Sequence, residues 1–252
     1  MSRGPSGVVL LTDRWQARRP LTEVVAGAVA GGVRWVVLRE RDLPRAERAA
    51  LAVELRAILA EVGGTLVVAG PDPLDGDAVH LPSAGPYPPP RLGLVGRSCH
   101  DRAELARLTT EDYATLSPVY PTRTKPGYGP PLRPGGLREL AEASPVPILA
   151  LGGVETAEQV HACVTAGSVG VAVLGAIMRA DDPEEAAATL TAAVRPAVAE
   201  QPCGRHDWAE VSGTGLRPTV PTEGSSLTAR SGHGRPQPPA PTTTSPNGED
   251  TR

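Results

Sequence analysis

One stretch constrains this chain more than any other. It is Val146-Pro147-Ile148-Leu149-Ala150-Leu151-Gly152-Gly153, continued through Val169-Gly170-Val171-Ala172-Val173-Leu174-Gly175-Ala176-Ile177. Each run is short and apolar and ends in glycine, and an amphipathic segment from Thr156 to Ala166 lies between them. The order is strand, Gly-Gly, helix, strand, Gly. Near-continuous apolar runs suit parallel strands buried on both faces. Glycine at the C-terminal end of a strand leaves backbone N–H groups accessible and puts no side chain in an anion's way. Two such ends side by side form a phosphate cup, and in (β/α)8 barrels that cup follows strands seven and eight.

Six further strands should then precede it. Apolar runs predict them at residues 8–12, 34–38, 65–69, 77–81, 92–98 and 113–117. Helical periodicity is expected over residues 21–30, 45–62, 101–108, 136–143 and 182–198. The links at 70–76 and 82–90 carry prolines, so a full helix is not expected there. Strands alternating with helical or loop links over residues 1–200 predict an α/β chain closed into a (β/α)8 TIM barrel. An open doubly wound sheet is the alternative, but no G-x-G-x-x-G follows the first strand. Residues 201–252 are rich in Pro, Thr, Ser and Gly and have no apolar period, so they are expected to form a disordered tail.

Composition narrows the partners. Aromatics are 3% of residues and Phe is absent, so the core falls to Leu, Val, Ile and Ala. A net charge of -3 makes no general case for nucleic acid. Cys99, Cys163 and Cys203 lack metal-ligand spacing. An odd thiol count with no apolar leader predicts reduced cysteines and a cytoplasmic protein. No apolar run reaches the roughly 18 residues of a membrane span.

The chemistry of a barrel sits at the C-terminal strand ends. Those ends supply Asp13 and Arg14, Arg39 and Arg41, Asp72, His80, Ser98 and His100, Ser117, then Thr122, Thr124 and Lys125, and finally Gly152, Gly153 and Gly175. Cations, hydroxyls and glycines suit a phosphorylated or diphosphorylated ligand. Arg39 and Arg41 are two apart on extended chain and can grip a diphosphate together; the bland alternative is a salt bridge to Glu40 or Asp42. The loop from Pro121 to Gly129 has the composition of a lid over phosphate. His80 and His100 are candidate acid/base groups, with structural roles as the alternative. Cys99 has no readable partner to activate it.

Together these strand ends resemble the thiamine phosphate synthase/thiazole tautomerase (TenI) family. The resemblance rests on Leu11-Thr12-Asp13-Arg14, Leu38-Arg39-Glu40-Arg41, Val79-His80-Leu81-Pro82-Ser83, Gly96-Arg97-Ser98-Cys99-His100, Ser117 through Lys125, Leu151-Gly152-Gly153-Val154 and Gly170 through Ile177. It covers about residues 8–195 in family order. It implies a barrel enzyme of thiamine biosynthesis acting on a thiazole phosphate. In the synthase branch, a hydroxymethylpyrimidine diphosphate loses diphosphate in the presence of Mg2+, and the thiazole phosphate nitrogen captures the methylene. The tautomerase branch shifts a proton on a thiazole carboxylate phosphate without a metal.

By motif, the resemblance implies that Arg39, Ser98 and Lys125 hold diphosphate, with Arg41 where synthases usually have Lys. Thr122, Thr124, Gly153 and the Leu174-Gly175 backbone would hold the thiazole phosphate. The chain departs from both branches. Val37 stands where synthases carry Gln, Ala69-Gly70 where they carry Asn-Asp, and Pro82-Ser83-Ala84-Gly85 where they carry a further acid. Pro118 stands where tautomerases carry a catalytic His. Metal-free, tautomerase-like chemistry with His80 or His100 is the leading expectation. The synthase reaction, with Mg2+ held by Asp72 or Asp75, is the alternative, and a non-catalytic barrel binding a phosphorylated ligand is the third reading.

Overall fold

A computed structural model describes residues 4–122 and 129–200, with residues 195–200 as backbone only. The predicted tail lies outside these residues, as do Thr124, Lys125 and most of the predicted lid.

Eight parallel strands close into a barrel in chain order. They are β1 (Gly7–Leu11), β2 (Trp35–Leu38), β3 (Thr65–Ala69), β4 (Ala78–Leu81), β5 (Leu94–Cys99), β6 (Tyr113–Leu116), β7 (Ile148–Leu151) and β8 (Gly170–Val173). The helices are α1 (Leu21–Ala30), α2 (Arg45–Ala60), α3 (Arg102–Leu105), α4 (Arg133–Glu142), α5 (Ala157–Thr165), α6 (Gly175–Met178) and α7 (Pro183–Glu200). The closed barrel is the expected fold. The one-turn α6 was not foreseen.

Alternation along each strand splits the core in two. Val9, Val37, Val67, Leu149 and Ala172 fill the bore, while Val8, Leu10, Val36 and Leu38 face the helices. The seam closes by pairing Gly7 with Gly170, where a Cβ on Gly170 would sit 2.1 Å from the Gly7 carbonyl oxygen. Only glycine permits that approach. Local signals fix the helix ends. The Asp101 carboxylate accepts from the Glu104 N–H at the start of α3, and Thr156 with Gln159 forms a capping box on α5.

Tyr113 is the exception to an aliphatic interior. It is fully buried at the foot of β6, and its ring crosses the bore directly over Gly96. A Cβ on Gly96 would lie 2.1 Å from the ring, so the two residues are matched.

The β4–β5 link explains how a barrel tolerates a missing helix. Val79, Leu81 and Val95 make a small outer cluster under it, with Leu92 packed against them. Arg97 turns outward from β5 and donates to the carbonyls of Pro82 and Pro86 at 3.0 and 2.9 Å. It also pairs with Glu111, both side chains being fully buried. The Tyr87 ring lies against the guanidiniums of both Arg97 and Arg107. An arginine therefore ties down the proline-rich segment where a helix would otherwise cover the sheet. Removing one partner of a buried pair leaves the other charge stranded, so Arg97→Met should destabilise by about 3–5 kcal/mol. Urea unfolding checks this, and adding Glu111→Met should recover part of the loss.

Candidate functional site

The C-terminal rim opens into a cavity of about 610 Å³. Arg39, Arg41, His80, Ser98, His100 and Thr122 line it, together with Gly153, Leu174 and Gly175. Nine of the expected site residues therefore meet in one space; Thr124 and Lys125 lie outside the described residues. Ala69, Val37 and Ala172 form part of an apolar floor between two polar ends.

The first polar end is cationic. Thr12 Oγ1 accepts the Arg39 N–H at 2.9 Å, fixing the turn that follows β2. The acids expected as alternative partners for Arg39 and Arg41 are already taken. Arg14 grips Asp42 with two bonds of 2.7 and 2.6 Å and reaches the buried Glu40 at 3.1 Å. Trp15 Nε1 adds a third bond to Asp42 at 3.1 Å. The Arg14 guanidinium and the Trp15 N–H hold the Asp42 carboxyl well below the usual carboxylate range. Neither Arg39 nor Arg41 has a side-chain hydrogen bond or ion pair among the described residues. Partial burial and the nearby Arg39 charge both lower the Arg41 pKa. Arg48 adds a third guanidinium from α2, donating to the Leu38 and Ala69 carbonyls at 3.2 and 2.5 Å. Its Nε is buried with no partner, and its pKa is lowered by burial and by Arg41.

The second polar end is built on glycine. Gly152 and Gly153 have φ of +99° and +68°, and a Cβ on Gly153 would lie 2.4 Å from the Pro121 carbonyl oxygen. The strand-seven loop can therefore pass beneath the Tyr120-Pro121 backbone only with glycine there. Beside it, Arg179 lies across Gly175, close enough that a Cβ there would be 2.1 Å from Nη1. Gln16 and Glu155 hold this guanidinium at 2.6 and 2.9 Å. Sequence reasoning missed Arg179 because its partners come from the β1 and β7 ends, which only the closed topology brings together.

The two histidines differ. His80 is buried between Tyr113 and Ser98, with Nδ1 3.1 Å from the tyrosine oxygen and Nε2 2.9 Å from Ser98 Oγ. Burial, with the charges of Arg41 and Arg97, pushes it down to about 3. It is a neutral imidazole near pH 7 with a partner on each ring nitrogen. Its geometry positions Ser98. His100 Nδ1 is held 2.8 Å from Glu104 Oε2, an arrangement that orients an imidazole at the cavity wall. Burial pushes the Cys99 thiol up to about 12, so it stays protonated and is no nucleophile.

The family model described as thiamine monophosphate synthase matches residues 8–177. The chain belongs to that family. A putative thiamine-phosphate synthase of Geobacter sulfurreducens is 38% identical over 78% of this chain and 98% of its own. A thiamine-phosphate synthase of a Roseiflexus species is 32% identical over 78% of this chain and 90% of its own. Among solved structures, a thiamine phosphate pyrophosphorylase from Pyrococcus furiosus has a TM-score of 0.66 at 24% identity, covering 78% of this chain and 98% of that one. That last likeness concerns the fold. Within this family, the relatives favour the synthase reading over the tautomerase one. No helix among the described residues is long and apolar enough to cross a membrane.

The Mg2+ that the family resemblance implies does not fit these residues. Mg2+ in phosphate sites wants one or two carboxylates with open oxygens. Four carboxylates line the cavity: Asp13, Glu40, Asp42 and Glu155. Asp13 accepts from the Trp15 N–H and Gln16, Glu40 and Asp42 from Arg14, and Glu155 from Arg179. Asp72 and Asp75, the expected substitutes, do not line the cavity and instead pair with Arg45. Among the described residues no three His, Cys, Asp or Glu gather as a metal site.

The His80 environment predicts a pH effect. The unfolded chain takes up the proton near 6.5, while the folded imidazole resists it down to about 3. Stability is therefore fully present above about pH 6.5 and falls as the pH drops below it, by up to about 1.4 kcal/mol per pH unit from this group. Urea unfolding at pH 7 and pH 5 should show the loss, and His80→Gln should flatten it; an unchanged slope in the variant would remove His80 as the cause.

Proposed function

We propose that this barrel joins a pyrimidine-methyl diphosphate to a thiazole phosphate and releases diphosphate. The observation that carries the reading is the pairing of two anion-receptive ends across one apolar floor. The Arg39–Arg41 end suits a diphosphate, and the Gly153–Gly175 end suits a single phosphate. The named relatives support the same reaction.

The chemistry needs little from the protein beyond charge and shape. The bond between the pyrimidine methylene and the diphosphate oxygen breaks, and the leaving group keeps the electron pair. The thiazole nitrogen then gives its lone pair to the methylene carbon, and the positive charge ends on the thiazolium ring. Arg39 and Arg41 face the charge that grows on the leaving group, where fixed cations lower the barrier most. Ser98, positioned by the neutral His80, donates to the same group. Capture of the methylene moves no proton, which accords with a His80 that stays neutral. The apolar floor keeps water from the electron-poor carbon.

One observation favours a second reading. The His100–Glu104 pair at the cavity wall is a carboxylate-held imidazole, which suits proton transfer on a thiazole ring.

Mass spectrometry decides between them. Purified protein receives hydroxymethylpyrimidine diphosphate and thiazole phosphate, with and without Mg2+. Thiamine phosphate is the expected product. Isomerisation of a thiazole carboxylate phosphate without coupling would instead favour the His100 reading, and saturable binding without turnover would leave a ligand-binding barrel. For the synthase reaction, Arg39→Ala should lower kcat/KM for the pyrimidine diphosphate by about 100-fold and leave the KM for thiazole phosphate nearly unchanged. Equal losses on both substrates would contradict its place at the diphosphate end.

A further inference from the structure

We infer that the cationic end of the cavity takes its diphosphate as the free polyanion, balanced by guanidiniums rather than by a divalent cation. The inference rests on the reading that one ligand carries a diphosphate.

Three observations converge on it. Arg39 and Arg41 are unpaired among the described residues, face the cavity, and stand close enough for the charge of Arg39 to lower the Arg41 pKa. Two like charges left without a counter-ion in a partly buried place are costly unless an anion joins them. Behind them, Arg48 is held under the ends of β2 and β3 by the Leu38 and Ala69 carbonyls, and adds a charge that lowers no barrier to cation entry. Every carboxylate lining the cavity already accepts a hydrogen bond, in three of the four cases from an arginine. A divalent ion arriving at this end meets three guanidiniums, and the two acids beside them are already held by Arg14.

The consequence has a sign. A site built for a metal–diphosphate complex gains affinity when Mg2+ is added. A site built on guanidiniums loses affinity, because Mg2+ in solution neutralises the anion that the arginines attract. A bidentate guanidinium fork also holds two oxygens in fixed geometry, which a lysine does not.

Isothermal titration of the full-length protein with inorganic pyrophosphate tests this. It is run in EDTA and in millimolar MgCl2 at matched ionic strength. Saturable binding in EDTA, at least as tight as in Mg2+, is expected. Arg41→Ala should weaken the EDTA binding about tenfold or more, and Arg41→Lys should weaken it less, while circular dichroism and thiazole phosphate binding stay as in the parent. Binding that appears only with Mg2+ overturns the inference and leaves the synthase reading standing. Pyrophosphate binding in neither buffer also overturns it, and the product assay then reads the synthase reaction independently. An Arg41→Ala variant that binds pyrophosphate as the parent does would equally sink it.

Discussion

Arg14 takes both carboxylates of the loop after β2, and much of the cavity's character depends on that. Glu40 and Asp42 flank Arg41 in sequence and would otherwise neutralise it. Because β1 and β2 are neighbours, the turn after β1 can carry its own arginine across to them. Asp42 and Arg14 are too exposed for this contact to contribute much to stability. Its effect is on charge placement. One arginine engages both acids, and Arg39 and Arg41 are left facing the cavity. The same device recurs at Arg45 with Asp72 and Asp75, and at Arg179 with Glu155. The chain is net negative, yet Arg39 and Arg41 stay unpaired among the described residues, because Glu40 and Asp42 beside them are engaged by Arg14.

A second dependence runs vertically through the bore. Gly96 has no side chain, so the Tyr113 ring can cross the barrel and lift its hydroxyl to His80. His80 in turn reaches Ser98. A core packing choice near the foot of β6 thus fixes the orientation of a hydroxyl at the rim. The burial that makes this chain rigid also keeps the imidazole neutral, so the geometry and the protonation state have one cause. A desolvated imidazole bonded on both ring nitrogens is suited to holding a partner still.

Strands and their order were legible because parallel barrel strands are continuous apolar runs ending in glycine or polar residues. Thr65–Ala69 falls where the pattern places it, and Leu21–Ala30 likewise. The proline-rich 82–90 segment was correctly read as no helix, but what replaces the helix was not readable. Arg97, Glu111 and Tyr87 are far apart in sequence and carry no periodic signal. The strand-end residues found their cavity because barrel topology alone sends them there. Their partners were less visible. Nothing in spacing tells that Asp72 turns to Arg45 or that Arg179 reaches Gln16, since those contacts span 27 and 163 residues. The buried setting of His80 was not legible either, because a strand-end histidine reads the same whether its ring faces solvent or a tyrosine.

The departures from the family pattern also make more sense together than singly. Ala69-Gly70 and Pro82-Ser83 remove carboxylates, and Arg41 stands where the resemblance puts lysine. Taken alone, each looks like the loss of a working part. A lysine is a compact point charge with no fixed fork. A guanidinium is a planar fork that can take two oxygens of a diphosphate at once. Keeping the carboxylates beside such a fork would draw it into an ion pair and away from the ligand. Losing them leaves Arg41 unpaired among the described residues and pointing at the cavity. The two kinds of departure act on charge in the same direction: fewer acids and a fixed guanidinium both leave this end of the cavity more receptive to an anion.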